Sequence, residues 1–394
     1  MPNVFTAIQP VLFEAAQIVS QEAIGFLDAI NLDFSSTKPV ALGDTCYVPY
    51  AGVGALETFT PAAVTSEGAA STASSVAVQI QAIKKITWNM TGEQILSLEN
   101  ATMNQEWLRQ KIAQAMRALR NAAEAACGVA LLQGASRAVG TAGTNPFNAA
   151  TLVNITAARK QLRMNGAPNS DLHLVMDLTA SEALLNLGVV QNFYQAGTAA
   201  QLEKGVFLDK MGFKMHESGN VATHVKGGGA NYVIEAAGAS IGDGYVNVDG
   251  GNSGTILAGD IVTFAGGTAD TNNYVVVNNG TANAVSTGTA SGAAAGTIYL
   301  GRPGLKIAKV NDQAMTIGNA YAGNLAFHKM STVGIIRQPQ MPANPTIATT
   351  MITDEFGCSY LLCDIAQYGQ RSWELIMAYG FRVVQQEHVV IMMG

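Results

Sequence analysis

Between residues 76 and 90 the even positions read Val76, Val78, Ile80, Ala82, Lys84, Ile86, Trp88 and Met90. This is an alternation of period two interrupted only at Lys84, the pattern of a strand with one covered face. At about 3.3 Å per residue such a strand is on the order of 50 Å long, beyond the usual length in a globular domain. Residues 44–50 are its expected partner, and the tip between them, residues 51–75, is mostly Ala, Gly, Ser and Thr. A two-stranded ribbon is marginal alone in water. An arm of this kind has to lie on another surface, and the nearest candidate is a second copy of the chain.

The arm leads into helix. Thr91 with Gln94, and then Thr102 with Gln105, have the spacing of capping boxes. The second launches a stripe of Leu108, Ile112, Ala115, Leu119, Ala122 and Ala126, with Gly134 as the stop. About 30 residues of helix span about 45 Å. Gly128 is predicted to weaken or bend the last turns. Arg109, Arg117 and Arg120 fall in one sector, as a contact for an acidic partner or packaged nucleic acid, or as a solvated face with local pairs such as Arg120 and Glu124.

Residues 1–35 open with an amphipathic helix: Pro10 suits a first turn, and Leu12, Ala15, Val19, Ala23, Phe26 and Ile30 recur at helical spacing. It is either a core helix or an arm reaching a neighbour. From Asn145 to Phe213 the texture is mixed, with Asn145-Pro146 opening a helix over 149–162 and a strand expected at 172–176. Thr179 and Glu182 form a further capping box closing at Gly188, and a strand at 213–216 returns to the same unit. Between Lys226 and Arg302 there is no Lys or Arg, and β-prone runs at 232–234, 245–248, 260–264, 274–277 and 297–300 alternate with Gly-rich turns. That spacing describes a small β-barrel or sandwich, inserted with joints near Asn220 and Pro303. Mixed α/β texture resumes at about Lys306.

Charged residues are only 13% of this 394-residue chain, against about 25% in an average soluble domain. Burial of much of the surface against neighbours produces such a shortfall, since charge is depleted at interface centres; so does simple enrichment in Gly, Ala, Ser and Thr. The net charge of −6 supplies no basic field for nucleic acid, and no basic tail is present. Cys46, Cys127, Cys358 and Cys363 fit neither a zinc knuckle nor a redox pair, so free thiols in a reducing cytoplasm are expected. The first basic residue is Lys38 and no run of 18 apolar residues occurs, so neither a secretory signal nor a membrane span is expected.

No catalytic, cofactor or metal site is expected. Gly238-Ala-Ser240-Ile-Gly242 matches a nucleophile elbow and would make Ser240 a hydrolase nucleophile. The elbow needs a strand before and a helix after, whereas Asp243-Gly244 and another β-like run follow. Asn247-Val-Asp249-Gly250 resembles part of a calcium loop, but Tyr245 and Ile256 would occupy its first and twelfth positions. The five histidines, His173, His216, His224, His328 and His388, show no zinc-binding spacing.

Three segments together resemble the coat proteins of tailed bacteriophages. Gly43-Asp44-Thr45-Cys46-Tyr47-Val48-Pro49 opens the hairpin as in many of them. Asn324-Leu-Ala-Phe-His-Lys329 followed by Ile335-Ile-Arg-Gln-Pro339 is similar to their strand, helix and proline exit. Ala378-Tyr-Gly-Phe-Arg-Val-Val384, closing on residues 388–394, resembles their C-terminal strand, although Gln385-Gln386-Glu387 stands where a basic-Pro-Glu step is usual. The order of these features resembles the α+β Hong Kong 97-type capsid fold, and the inserted β-barrel domain resembles the short-tailed Salmonella-phage subtype.

The resemblance implies an N-terminal arm (1–39), an extended hairpin loop (40–90), a spine helix and peripheral domain with the start of an axial domain (91–219), the inserted domain (220–303), and an axial domain with a C-terminal return strand (304–394). Residues 320–380 would form most of the axial domain. It implies a non-enzymatic major capsid protein whose copies meet as hexamers and pentamers around double-stranded DNA held non-specifically. A separate scaffolding protein and a portal are the implied partners, with or without a decoration protein, and assembly is in the host bacterial cytoplasm with residence in the virion. The candidate inter-subunit contacts are Glu57, Phe59, Glu67, Lys84, Lys85, Trp88, Arg109, Arg117 and Arg120. Some relatives cross-link through a loop lysine; with no Lys between Pro39 and Ile83, no such bond is expected here. An encapsulin-like nanocompartment shell is the alternative on the same fold.

Overall fold

The computed structural model describes residues 25–32, 39–50, 61, 74–100, 104–147, 152–188, 209, 211–251, 254–265, 270–277, 294–341, 347–354 and 357–394. The helices are α1 (Phe26–Ala29), α2 (Gly92–Asn100), α3 (Asn104–Gln133), α4 (Val153–Met164) and α5 (Leu178–Leu185). The first strands are β1 (Thr45–Tyr50), β2 (Ser74–Gln79), β3 (Ala82–Thr91), β4 (Arg137–Val139), β5 (Leu172–Met176) and β6 (Phe213–Glu217). Then come β7 (Thr223–His224), β8 (Tyr232–Ile234), β9 (Tyr245–Gly251), β10 (Ile261–Phe264), β11 (Asn273–Val275), β12 (Ala294–Tyr299) and β13 (Ala314–Ile317). The chain closes with β14 (Tyr321–His328), β15 (Thr332–Arg337), β16 (Ile347–Thr353), β17 (Ser359–Gln367), β18 (Gln370–Val383) and β19 (Val389–Met393).

The hairpin forms between the expected strands, with Cys46 opposite Val78 and Val48 opposite Val76. The long second strand, however, does not keep one partner. Its first part, β2, pairs with β1; its second part, β3, pairs antiparallel with β18, from Thr91 opposite Gln370 to Ala82 opposite Tyr379. The exchange occurs between neighbouring residues: Ile80 N–H donates to Asp44 O at 2.9 Å and Gln81 N–H to Tyr379 O at 3.0 Å. The root of the arm is therefore covered within its own chain. Val48, Val78 and Ile80 are buried with Val333, Ile335 and Ala378.

β15, β18, β17, β16 and β3 form a five-stranded sheet against α3. The capping box at Thr91 forms in both directions: Thr91 N–H donates to Gln94 Oε1 (3.1 Å), and Gln94 N–H to Thr91 Oγ1 (3.4 Å). The second box rests on Thr102, which lies outside the described residues, as do the tip (51–73, apart from Pro61) and most of the expected N-terminal helix. The two members of its stripe that are described, Phe26 and Ile30, are buried in the core beneath α3.

α3 runs through Gly128 to Gln133 rather than ending there. Gly128 instead admits Phe26, whose ring lies 3.1 Å from where a Cβ would stand. Two further helix starts differ from expectation. α5 is capped by Asp177, whose Oδ1 accepts from Ala180 N–H at 3.0 Å, rather than by Thr179. Asn145 Oδ1 accepts from Phe147 N–H in a turn, and the described part of the next helix begins at Val153.

A second sheet runs in the order β12-β9-β8-β13-β10-β11-β4-β19-β14-β5-β6, with β7 on β14. β4–β19 and β5–β6 are parallel pairs, and α4 and α5 cover this end. At the other end Val276 bridges antiparallel to Leu300 and Val277 N–H donates to Tyr299 O at 3.0 Å. That joins the ends of the β12-to-β11 run into a ring around Tyr232, Ile234, Val246, Val262, Tyr274 and Ile298. β13, beyond residue 303, belongs to this ring, and the ring is hydrogen-bonded onward through β4. Residues 320–380 divide between the two sheets, β14 in one and β15–β18 in the other. The expected helix between 324 and 339 is a single 3-10 turn, Lys329–Ser331.

A candidate subunit interface

β3 presents its side chains alternately. Lys84 and Lys85 are exposed, Trp88 is half-buried, and Met90 is buried beneath the sheet. Among the described residues β3 pairs on one side only, with β18. Lys85 Nζ lies 2.9 Å from Glu374 Oε1, which also accepts from Thr87 Oγ1 at 3.4 Å. Trp88 stacks on Trp373, directly opposite in the ladder, with ring centroids 6.4 Å apart and planes inclined by 21°. Both indole Nε1 atoms are buried without an acceptor among the described residues.

The three arginines of α3 do not share one environment. Arg109 donates to Glu106 Oε1 (2.8 Å), which also accepts from Gln110 (3.0 Å); these bonds hold the Glu106 carboxyl below its ordinary value. Arg117 is exposed. Arg120, expected beside them as a surface contact, is only 2% exposed. It lies 4.0 Å from Asp354 Oδ2, and Asp354 in turn accepts from Cys358 N–H (2.9 Å) and Tyr360 Oη (3.2 Å). One turn further along, the Glu124 Oε1 atom accepts from Gly25 N–H (2.9 Å), Phe26 N–H (3.3 Å) and Ser218 Oγ (2.6 Å). Arg120 and Glu124 thus knit α1, α3, the exit of β6 and the β16–β17 turn together. Burial pushes the Cys358 thiol and the Tyr360 phenol well up, so both stay neutral. Glu57, Phe59 and Glu67 lie outside the described residues.

The motifs with chemical overtones resolve as structure. Ser240 sits in a turn, its N–H donating to Asp243 Oδ2 at 2.6 Å, and β9 rather than a helix follows; a nucleophile elbow is not formed. Asn247 and Asp249 lie on β9, not in a calcium loop. Among the described residues no group of three His, Cys, Asp or Glu side chains is placed to hold a metal, and no helix is long and apolar enough to cross a membrane.

Spacing alone did not bring the histidines together, but register does. His173 on β5 and His216 on β6 meet with Nδ1 and Nε2 2.9 Å apart. His216 Nδ1 lies 3.8 Å from Asp28 Oδ2 of α1. Burial, then the neighbouring His216, pulls the His173 imidazole down to about 4, and burial lowers His216 as well. The interior of the ring of strands holds a charged pair that the sequence hid: Lys309 Nζ lies 2.6 Å from Asp270 Oδ2, both side chains wholly buried. Tyr274 Oη (2.8 Å) and Asn272 N–H (3.0 Å) also donate to Asp270, and Lys309 stands 4.7 Å over the Phe264 ring.

No protein-family model and no curated protein matches the chain. Among solved structures it is similar to one of Mycobacterium phage Che8, at 13% identity over 94% of this chain and 92% of that one, with a TM-score of 0.49. A capsid structure of cyanophage P-SCSP1u aligns at 12% identity over 91% and 86% of the two chains, with a TM-score of 0.48. A virus-like particle from Pyrococcus furiosus aligns at 9% identity over 97% and 96%, with a TM-score of 0.41.

Proposed function

We propose that the chain is the major capsid protein of a tailed bacteriophage, a structural protein whose copies close into an icosahedral shell around double-stranded DNA. The observation that carries this reading is the arm. A two-stranded ribbon continues, along one of its own strands, into a five-stranded sheet packed on a 30-residue helix. The charge-poor composition supports it, because a subunit surrounded by copies of itself needs few charges on its covered faces. So do the coat-protein-like segments at 43–49, 324–339 and 378–384.

In this reading the fold is of the Hong Kong 97 type and of the short-tailed Salmonella-phage subtype. Residues 1–39 are the N-terminal arm, 40–90 the extended loop, 91–219 the spine helix and peripheral domain, and 304–394 the axial domain with its return strand. Residues 220–303, completed by β13, are the inserted domain that braces the subunit and touches neighbouring capsomers. Lys84, Lys85, Trp88, Arg109 and Arg117, with Glu57, Phe59 and Glu67 of the loop, are the contacts between copies; Arg120 is withdrawn from that set. The shell is assembled in the host cytoplasm with a scaffolding protein and portal and carries DNA without sequence preference. Each contact need only be modest, since closure gives every subunit several neighbours at once.

Electron microscopy of the protein expressed in bacteria, with and without its scaffolding partner, after velocity sedimentation, tests the reading. Hollow shells or capsomer-built tubes are expected. Shells loaded with a host enzyme would favour the nanocompartment alternative, and a slow-sedimenting species under every condition would overturn both.

A further inference from the structure

A cleft of about 600 Å³ opens where four parts of the fold meet: the arm root, the end of α3, the barrel strands β9 and β12, and the end of β18. Its walls have an unusual chemistry. Gln79, Gln81, Gln133 and Gln386 supply amides, Tyr245 and Tyr299 supply aromatic faces with centroids 6.5 Å apart, and Arg302 and Arg382 supply charge. Among the described residues no acidic side chain lines it. Arg382 is exposed, with Nη1 donating to Ala77 O at 3.1 Å. Arg302 remains 42% exposed although Glu387 lies 3.7 Å away.

Amides that both donate and accept are suited to a peptide backbone, aromatic faces to its side chains, and two cations to carboxylates. The volume falls in the range of about 300–1,000 Å³ typical of clefts that hold a small ligand, enough for a few residues of extended chain. A helix, about 10–12 Å across with its side chains, needs a wider groove.

We propose that this cleft receives part of the hairpin tip, a few residues from within 51–73, of a second copy of the chain. The charge is complementary: the tip carries Glu57 and Glu67, and no Lys or Arg occurs between Pro39 and Ile83. The tip also offers Phe59 to the two tyrosines. Residues 1–24 carry Glu14 and Glu22 as well, but their apolar residues recur at helical spacing, which the cleft does not suit. The inference rests on the reading of the chain as an assembly subunit and adds to it a receptor for the arm.

Two measurements on the full chain test it. In the first, Arg302→Glu with Arg382→Glu, and separately Glu57→Arg with Glu67→Arg, each cut fast-sedimenting assemblies at least tenfold, and the four changes together restore them. In the second, Glu57→Cys and Arg382→Cys are combined, and mild oxidation yields disulfide-linked dimers on a non-reducing gel. The control, Glu22→Cys with Arg382→Cys, yields none. Because Arg302 also donates to Val384 O (2.7 Å), the exposed Tyr245→Ala variant serves where the arginine pair fails to fold, with the same tenfold loss expected. Normal assembly of the arginine or Tyr245 variants, or dimers in the control alone, overturns the proposal. Wild-type shells without the tip-to-cleft disulfide remove the seat but leave the shell; the disulfide without shells under any condition does the reverse.

Discussion

His173 Nδ1 and His216 Nε2 stand 2.9 Å apart across the parallel β5–β6 pair, and Phe327 stacks on His173 with centroids 6.2 Å away. The contact works when one nitrogen donates and the other accepts, so it is lost when both rings are doubly protonated. Asp28, Asp171 and Asp209 favour the charged forms, while burial, Lys214 and Lys329 oppose them, and the balance leaves both rings easier to keep neutral than in the unfolded chain. Unfolded histidine titrates near 6.5, and His173 in the fold near 4. Stability is therefore full above about pH 6.5 and is lost as pH falls toward 4, by roughly 2–3 kcal/mol for His173. Thermal melts between pH 7.5 and pH 4.5 should show this slope, and His173→Phe should flatten it. An unchanged slope in that variant places the pH sensitivity elsewhere.

Glu124→Ala leaves the Gly25 and Phe26 amides and the Ser218 hydroxyl without their buried acceptor. It also removes one charge from the cluster around Arg120 and Asp354. A loss on the order of 3 kcal/mol is expected, read as a lowered urea midpoint. Hydrogen exchange should rise first at residues 25–31, the segment that Glu124 ties to α3.

Lys309→Met strands the wholly buried Asp270 carboxylate inside the ring of strands. Breaking a buried pair from one side costs about 3–5 kcal/mol, whereas removing both charges leaves no unpaired ion. Limited proteolysis should cut the single variant within residues 230–317 and spare Lys309→Met with Asp270→Asn, which keeps an amide oxygen for the Asn272 and Tyr274 donors. Equal resistance of the single variant and the parent would show the pair to be dispensable.

Gly380 lies where the arm strand crosses β18, and a Cβ there would stand 2.0 Å from Gln79 O. That oxygen is backbone and cannot swing aside. Gly380→Ala is expected to cost about 3 kcal/mol, the upper end for overpacking, with amide exchange raised at Ile80 and Gln81. Protection equal to the parent's would mean that the strands shift without loosening.

Removing residues 53–72 is expected to leave a folded subunit with an unchanged melting temperature that forms no shells. Normal shells on sedimentation would sink the role assigned to the arm.

Local signals in the sequence carried far. The Thr91–Gln94 cap, the run of α3, β5 at 172–176 and the strands β8 and β10 all follow from periodicity or turn chemistry within a short window. What stayed hidden depends on partners far along the chain. Arg120 reads as a surface residue because its buried carboxylate, Asp354, is remote in sequence. The strand 76–90 shows its alternation but not that its second half pairs with β18. His173 and His216, unremarkable by spacing, meet only because β5 and β6 align Val175 with His216. Asp177 outcompetes Thr179 as a cap for a local reason: its carboxylate sits one residue before the helix and reaches the Ala180 amide.

The handover at Ile80 and Gln81 has a mechanical consequence. One continuous backbone is clamped on one side by β1 and, past a two-residue joint, on the other side by β18. Such a joint is a crank. Torque applied to the outer ribbon reaches the sheet on α3 through two peptide units and through the side chains of Val48, Val78 and Ile80 packed with Val333, Ile335 and Ala378. A load on the outer ribbon is therefore delivered into the interior of the subunit instead of being spent at its root.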